Sequence, residues 1–248
     1  MTGRSSELGG VAGVDAVVLG RIGLGEADRI VRLLVADRGR VDAVARGARG
    51  SRKRFAGALD PGTRLRVTLR RGSASLPWIE EVEVRAAPHV ARSTLGRLSL
   101  LLWGCEVVAA LTSRELEAER LRHLLEVWLD LLEGPQAPEH PQRVAFEGKA
   151  LTFAGLAPAL VRCSVCDRAI EAPAVFHGEA GAAHAACGAG RSVSVEDLVS
   201  IERLRRTALA DTWGASVSPS ARWLLTEFLE YQVGHAIEAR AALTWEDP

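Results

Sequence analysis

Three cysteines and one histidine in the second half of the chain have the spacing of a metal site. Cys163 and Cys166 enclose two residues, and His184 and Cys187 enclose two residues in the same way. Each pair fits a tight turn that brings both side chains to one point, and two such pairs complete the tetrahedral coordination that zinc prefers. Four protein ligands leave no open position, so the spacing predicts a structural Zn²⁺ that folds a loop poor in apolar residues.

Alternatives to this ligand set stay open at the level of sequence. His177 competes with His184 for the histidine position, and an aspartate or a water molecule would also complete the site. A catalytic zinc is a different alternative, because His177-Gly178-Glu179 matches the H-x-E element of zinc deaminases. That element precedes a P-C-x-x-C motif in deaminases, whereas here it follows the Cys163 pair. We therefore interpret it as part of a loop and expect a protein that is not an enzyme.

The second set of residues that could do chemistry is basic and lies in the first half of the chain. The whole sequence has 31 Lys/Arg and 31 Asp/Glu, but Arg21–Arg71 holds 14 basic residues against 5 acidic ones. A charge asymmetry of this kind indicates a polyanionic partner, with DNA phosphates as the first candidate. The predicted DNA contacts are Arg46, Arg49, Arg52, Lys53, Arg54, Arg64, Arg66 and Arg70.

These contacts fall into two groups. We interpret Arg46–Arg54 as a flexible arm laid along phosphates, and Arg64, Arg66 and Arg70 as a row on a strand that borders the same groove. Residues 1–90 contain only Phe55 and Trp78 as aromatics, so base stacking contributes little. The composition therefore favours a binder of the phosphate backbone that accepts single and double strands and brings complementary strands together. The alternative for the arm is a solvated charged loop.

The elements that must position these residues change in character along the chain. Short strands separated by glycine-bearing turns come first and predict a small barrel of the OB type: Val14–Leu19, Arg29–Val35, Arg40–Ala45, Arg64–Arg70 and Leu76–Val84. Helical periodicity follows and predicts five helices: Leu95–Leu111, one from the Thr112-x-x-Glu115 capping box to Gly134-Pro135, Gln142–Ala154, Ser194 to about Trp213, and Ser218-Pro219 to about Ala242.

The predicted fold class is α+β, with an N-terminal five-stranded OB-type β-barrel and a C-terminal helical bundle carrying an inserted zinc-finger-like module. The boundaries we expect are a flexible leader at 1–10, the barrel at 11–90, and the helical domain at 91–248 with the zinc module at 160–192. Met1–Gly10 is polar, unlike a secretory signal, and the apolar run Leu98–Leu111 contains Glu106 and is too short to cross a bilayer. We therefore expect a soluble cytoplasmic protein, associated with the nucleoid, without membrane contact.

Several segments resemble the RecO family of bacterial recombination mediators over nearly the whole chain. They are Ala16-Val17-Val18-Leu19, Gly25-Glu26-Ala27-Asp28-Arg29, Gly39-Arg40, Val44-Ala45-Arg46-Gly47-Ala48-Arg49, and Cys163-x2-Cys166 after Gly155-Leu156-Ala157-Pro158. In zinc-bearing members the second metal pair is Cys-x2-Cys, whereas His184 stands at its first position here.

The resemblance implies an OB domain, a helical domain with a zinc element, binding to single- and double-stranded DNA, and annealing of complementary strands. It also implies partnership with RecR and with single-stranded DNA-binding protein in loading a recombinase. Two other classes compete with this interpretation. One is a zinc-clipped helical adaptor that acts through protein–protein contacts only, and the other is a metal-dependent hydrolase.

Overall fold

A computed structural model of the chain describes residues 11–35, 37–51, 53–70, 76–112 and 118–243. The chain forms two compact units, Met1–Arg122 and His123–Pro248. The predicted boundaries at residues 11, 91, 160 and 192 stay predictions. The Met1–Gly10 leader, Arg52 and Glu115 lie outside the described residues.

The first unit is built on a closed five-stranded barrel, as predicted. Its strands follow one another around the barrel in the order β1-β2-β3-β5-β4. Neighbouring strands are antiparallel except β3 and β5, which are parallel. The strands are β1 Val11–Leu24, β2 Asp28–Val35, β3 Gly39–Ala45, β4 Arg64–Arg70 and β5 Trp78–Ala86.

Alternation along β4 explains which side chains fill the barrel. Leu65, Val67 and Leu69 are buried, while the arginines between them point outward. Because successive side chains of a strand face opposite sides, the apolar set must lie inside once the sheet closes. The interior they share is filled by aliphatic residues of the other strands, among them Val18, Leu33, Ala43 and Ile79.

Strand β1 is longer than predicted because it belongs both to the barrel and to a hairpin with β2. Its first half pairs with β4, from Val11 to Val17, and its pairing with β2 begins at Ala16. After a register shift between Val18 and Gly20, β1 pairs with β2 alone down to Leu24 opposite Asp28. Residues 20–32 thus form the β1–β2 hairpin, in which β1 extends beyond its pairing with β4 while β2 stays paired with β3.

The first unit also includes helix α1, Leu95–Leu111, which packs against β1. Thr94 caps its N-terminus by accepting a hydrogen bond from the Arg97 amide. Arg40 of β3 donates a hydrogen bond of 2.9 Å to the carbonyl of Ala109. The prediction of a buried apolar helix here is confirmed.

The remaining described helices are α2 Glu119–Glu133, α3 His140–Phe153, α4 Val195–Arg206 and α5 Leu224–Val233. A three-stranded sheet lies between α3 and α4 in sequence, in the order β7-β6-β8: β6 Ala174–His177, β7 Gly181–His184 and β8 Arg191–Val193. Of the helices in the described part of the chain, none has the length and apolar character that a membrane crossing requires.

The last two helices are shorter than predicted. Helix α4 starts after its predicted N-cap, Ser194, but ends at Arg206, where Thr207 turns extended and its hydroxyl donates to the Arg203 carbonyl. Ser218 starts only a turn, in which its hydroxyl accepts from the Ala221 amide while donating to Asp197, and the helix proper begins at Leu224. It ends before Gly234, which adopts a left-handed φ of 75°.

Candidate metal centre and nucleic-acid interface

The first ligand pair lies on a tight turn in the second unit. The Cys163 amide donates to the Arg168 carbonyl at 2.8 Å, and the Asp167 amide donates back to the Cys163 carbonyl at 2.9 Å. Asp167 adopts a left-handed φ of 57°, and its carboxylate receives two hydrogen bonds from Arg162, at 2.7 and 2.8 Å. The turn therefore holds both thiols on one side.

The second pair is presented by the small sheet. His184 is the last residue of β7, and Cys187 lies in the turn that follows, where its amide donates to the His184 carbonyl at 2.8 Å. The two pairs are joined by a hydrogen bond of 2.9 Å from the Ser164 amide to the carbonyl of Ala182 on β7. Backbone bonds alone thus bring the pairs together.

The metal-ligating atoms of Cys163, Cys166, His184 and Cys187 all lie within 4.8 Å of one another. Nε2 of His184 lies 2.9 Å from the Ala169 carbonyl, which makes Nε2 the protonated nitrogen. Nδ1 then faces the sulfurs, at 3.5 Å from Cys166 and 3.8 Å from Cys187. Metal-bound histidines are oriented by this kind of second hydrogen bond.

His177 does not belong to this group. Its Nε2 lies 3.3 Å from the Ser164 hydroxyl, in the strand β6 that precedes the β6–β7 turn. The fourth cysteine, Cys105, lies in the first unit, where burial raises the pKa of its thiol to about 12. The structure therefore separates the two histidines that the sequence left as competitors.

The surroundings of Cys163 and Cys166 favour the thiolate form that binds metal, whereas those of Cys187 do not. Hydrogen bonding from the backbone amide of Cys166 lowers the pKa of Cys163 to about 6. The side chain of Arg168 lowers the pKa of Cys166, whereas desolvation raises the pKa of Cys187. Three sulfurs and one imidazole nitrogen form a donor set that fits a tetrahedral zinc ion with no open position.

We call the predicted flexible arm, residues 46–54, the basic loop. Its described residues, 46–51, 53 and 54, form turns and bends and are hydrogen-bonded to the β1–β2 hairpin. The Gly47 amide donates to the Asp28 carboxylate at 2.8 Å. Arg49 donates twice, from its amide to the Ala27 carbonyl at 3.0 Å and from its guanidinium to the Gly25 carbonyl at 2.8 Å. The expectation of a free arm was wrong because the hairpin supplies these acceptors.

The other side of the basic loop is attached to the start of β5. Arg54 donates to the backbone carbonyls of Ile79, at 2.8 Å, and Glu80, at 3.2 Å. The guanidinium carbon of Arg46 lies 5.0 Å from the centre of the Trp78 ring, a cation–π distance. All of these partners are neutral, so the contacts orient the cations without cancelling their charge.

No described carboxylate forms an ion pair with the cations of the basic loop that the structure describes, namely Arg46, Arg49, Lys53 and Arg54. All four are exposed. The basic loop therefore presents four described positive charges to solvent that no ion pair with a described carboxylate offsets.

The predicted row on β4, which we call the strand arginines (Arg64, Arg66 and Arg70), has a different environment. Nε of Arg70 lies 2.5 Å from a carboxylate oxygen of Glu80. Arg66 is exposed, but its cross-strand neighbours are Asp15 on β1 and Glu83 on β5. Acidic residues on both sides thus reduce the positive potential along this row.

The two groups meet at one end of β4. Arg70 is opposite Trp78, the residue on which Arg46 rests, and Glu80 receives Arg70 through its carboxylate and Arg54 through its carbonyl. Arg64 and Arg66 lie further along the strand, opposite Ala86 and Glu83.

Sequence reasoning missed two features of this surface. It did not place Trp78 beneath Arg46, and it did not weigh the acidic residues Glu80, Glu81 and Glu83 against the strand arginines. The second signal was available, since all three acids lie on the predicted fifth strand, Leu76–Val84.

Comparison with known proteins identifies the family of the chain. The family model described as Recombination protein O N terminal matches residues 12–88, and Recombination protein O C terminal matches residues 92–241. A protein named DNA repair protein RecO from Anaeromyxobacter dehalogenans is 37% identical over 244 residues, covering 94% of this chain and 95% of the relative. One of the same name from Myxococcus xanthus is 34% identical over 233 residues, covering 91% and 93%. This chain belongs to the RecO family.

Proposed function

We propose that this protein is a non-enzymatic recombination mediator in DNA repair that binds single- and double-stranded DNA through the phosphate backbone. The observation that carries the proposal is the basic loop, because its four described cations are exposed and none forms an ion pair with a described carboxylate. Such cations gain most from phosphates, since binding releases the counterions condensed on DNA. The relatives are named for DNA repair, which supports DNA as the polyanion.

Contact through phosphates leaves the pairing edges of the bases free, and the proposed activity is therefore the annealing of complementary strands. We propose that the protein acts in the cytoplasm at the nucleoid, with RecR and single-stranded DNA-binding protein as partners in loading recombinase. The eight predicted contacts stay a proposal, with Arg46, Arg49, Arg52, Lys53 and Arg54 as the main group and Arg64, Arg66 and Arg70 as the lesser one.

The proposal is tested by binding labelled single strands and duplexes across a salt series, beside a strand-annealing assay. We expect log Kd to depend on log salt with a slope steeper than about 2 in magnitude, and annealing faster than the spontaneous rate. A shallow slope without annealing, together with salt-insensitive capture of RecR, would instead identify a zinc-clipped adaptor. Hydrolysis of DNA that stops on chelation would identify the metal-dependent enzyme.

We also propose that Cys163, Cys166, His184 and Cys187 hold one structural Zn²⁺. The support is the donor set, its closeness, and the orientation of His184 by the Ala169 carbonyl. When bound, the ion would fix the two turns against the small sheet, whose strands are only three or four residues long.

Elemental analysis of the purified protein tests this second proposal. One zinc per chain is expected in the wild type, and the Cys163→Ser/Cys166→Ser variant should contain none. Cys105→Ala is the matched control, because Cys105 is a thiol outside the cluster and should leave the zinc content unchanged. Zinc-free wild type, or full zinc content in the double variant, would contradict the assignment.

A further inference from the structure

The β1–β2 hairpin exposes two large aliphatic side chains that the barrel does not use. Ile22 is 59% exposed and Leu24 is 40% exposed. Both lie on the part of β1 that pairs with β2 alone, beyond the register shift after Val18. Because they are two positions apart on a strand, they share one face of the hairpin, and Ile30, opposite Ile22, extends the apolar strip on β2.

Arg49 of the basic loop lies on the other face of the same hairpin. Gly23 alternates with Ile22 and Leu24, and a side-chain carbon at Gly23 would lie 4.0 Å from the Arg49 guanidinium. Arg49 also donates to the carbonyls of Gly25 and Ala27, on the turn at the hairpin's end. The hairpin thus carries Ile22 and Leu24 on one side and the Arg49 guanidinium on the other, and the basic loop is also bonded, through the Gly47 amide, to Asp28 opposite Leu24.

We infer that Ile22 and Leu24 contact unstacked nucleobases while the basic loop holds the adjacent phosphates. This inference rests on the proposed DNA binding and adds the element that contacts the bases. Proteins that bind single strands combine a cationic groove with side chains that receive base faces, and apolar residues such as Leu and Ile insert between base steps in other DNA-binding proteins.

The positive charge beside Ile22 and Leu24 favours nucleobases over an apolar protein as the partner that covers them. An apolar protein partner would have to cover Ile22 and Leu24 while leaving four unpaired cations at its edge. A single strand of DNA satisfies both faces with one chain, because each nucleotide carries an apolar base face and an anionic phosphate. A duplex gains little from the strip, since its bases are already stacked on one another.

The test is a binding comparison in which the bases themselves are removed. Wild type and the Ile22→Thr/Leu24→Thr variant are titrated with a labelled single strand and with an abasic strand of equal length. Threonine keeps the β propensity of both positions while removing most of the apolar surface. We expect wild type to bind the intact strand about tenfold more tightly than the abasic strand, and the variant to bind both equally.

Two controls keep the result interpretable. Val84→Thr alters a residue of the same barrel that is 46% exposed but lies on β5, and it should preserve the tenfold preference. Ile22→Ser/Leu24→Ser repeats the change with a different side chain, and unchanged thermal unfolding of both variants shows that the hairpin is intact. Duplex affinity should change less than about twofold in all variants.

A variant that retains the wild-type preference for intact bases would overturn the inference, as would an equal loss of affinity for intact, abasic and duplex DNA. Failure of the proposed function looks different, because wild type itself would then bind all three DNAs with a shallow salt slope. A steep slope in wild type with an unchanged preference in the variant removes only the role of Ile22 and Leu24.

Discussion

The basic loop and the strand arginines lie on the same barrel and use the same side chain, yet their guanidinium groups have opposite environments. Arg54 and Arg49 donate to backbone carbonyls, whereas Arg70 donates to the carboxylate of Glu80. Arg66 lies between Asp15 and Glu83. A count of arginines therefore overstates the anion-binding capacity of β4, because a neighbouring carboxylate lowers the positive potential that each arginine creates.

The largest expected effect comes from neutralising the basic loop. Arg46→Gln/Lys53→Gln removes two exposed charges that make no hydrogen bond to the barrel in the described structure. We expect single-strand affinity to fall by on the order of 30-fold and the log–log salt slope to become shallower by about 1.4. Binding across a salt series measures the affinity and the slope. A loss of affinity below about threefold would contradict the distinction between the basic loop and the strand arginines.

The matched change on β4 removes the same number of charges. Arg66→Gln/Arg70→Gln should lower affinity by about fivefold and change the salt slope by less than about 0.5, because Glu80, Glu83 and Asp15 already compensate these arginines. Single-strand binding across the same salt series measures the affinity and the slope of this variant. Equal losses in the two double variants would mean that the acidic neighbours do not matter.

Removing an acidic neighbour should have the opposite sign and a smaller size. Glu80→Gln frees the Arg70 guanidinium but keeps the backbone carbonyl to which Arg54 donates. We expect affinity to rise about twofold, and no rise when Arg70→Gln is also present. The double-mutant cycle isolates the pair, and a gain that persists without Arg70 would assign the effect to general charge instead.

The smallest effect on DNA affinity is expected from the metal cluster. Cys166→Ser/Cys187→Ser should leave single-strand affinity within about 1.5-fold of wild type, because the basic loop belongs to the other compact unit. The same variant should lower the unfolding midpoint of the second unit by on the order of 10 °C. Calorimetry and DNA binding on one preparation check both, and a large loss of affinity would place a DNA contact near the metal.

Local patterns predicted the elements that depend on local physics. The alternation of Leu65, Val67 and Leu69 predicted the buried face of β4, and Ser194 predicted the start of α4. The spacing of the cysteines and His184 predicted the cluster, because each pair needs only one turn. What could not be predicted depends on residues distant in sequence. The basic loop is one example, because it is held by acceptors on the hairpin and β5.

The same division applies to the site. The sequence alone could not show which arginines have an acidic neighbour, because this depends on the register that sets Arg66 opposite Glu83 and Arg70 beside Glu80. Likewise, the choice between His177 and His184 needed the Ala169 carbonyl and the Ser164 hydroxyl, which each bind one of the two rings. A spacing rule carries no information about such partners.

The closure of the barrel has a consequence for the order in which the chain acquires structure. Ala16 must find Leu65 to complete the β1–β4 pairing, so the first unit cannot close until most of its length has been synthesised. The metal ligands, by contrast, all lie between Cys163 and Cys187. Folding slows as contacting residues become more distant in sequence. The metal-binding turns should therefore form soon after Cys187 has left the ribosome, while the barrel, although synthesised first, closes only once β4 and β5 have been synthesised.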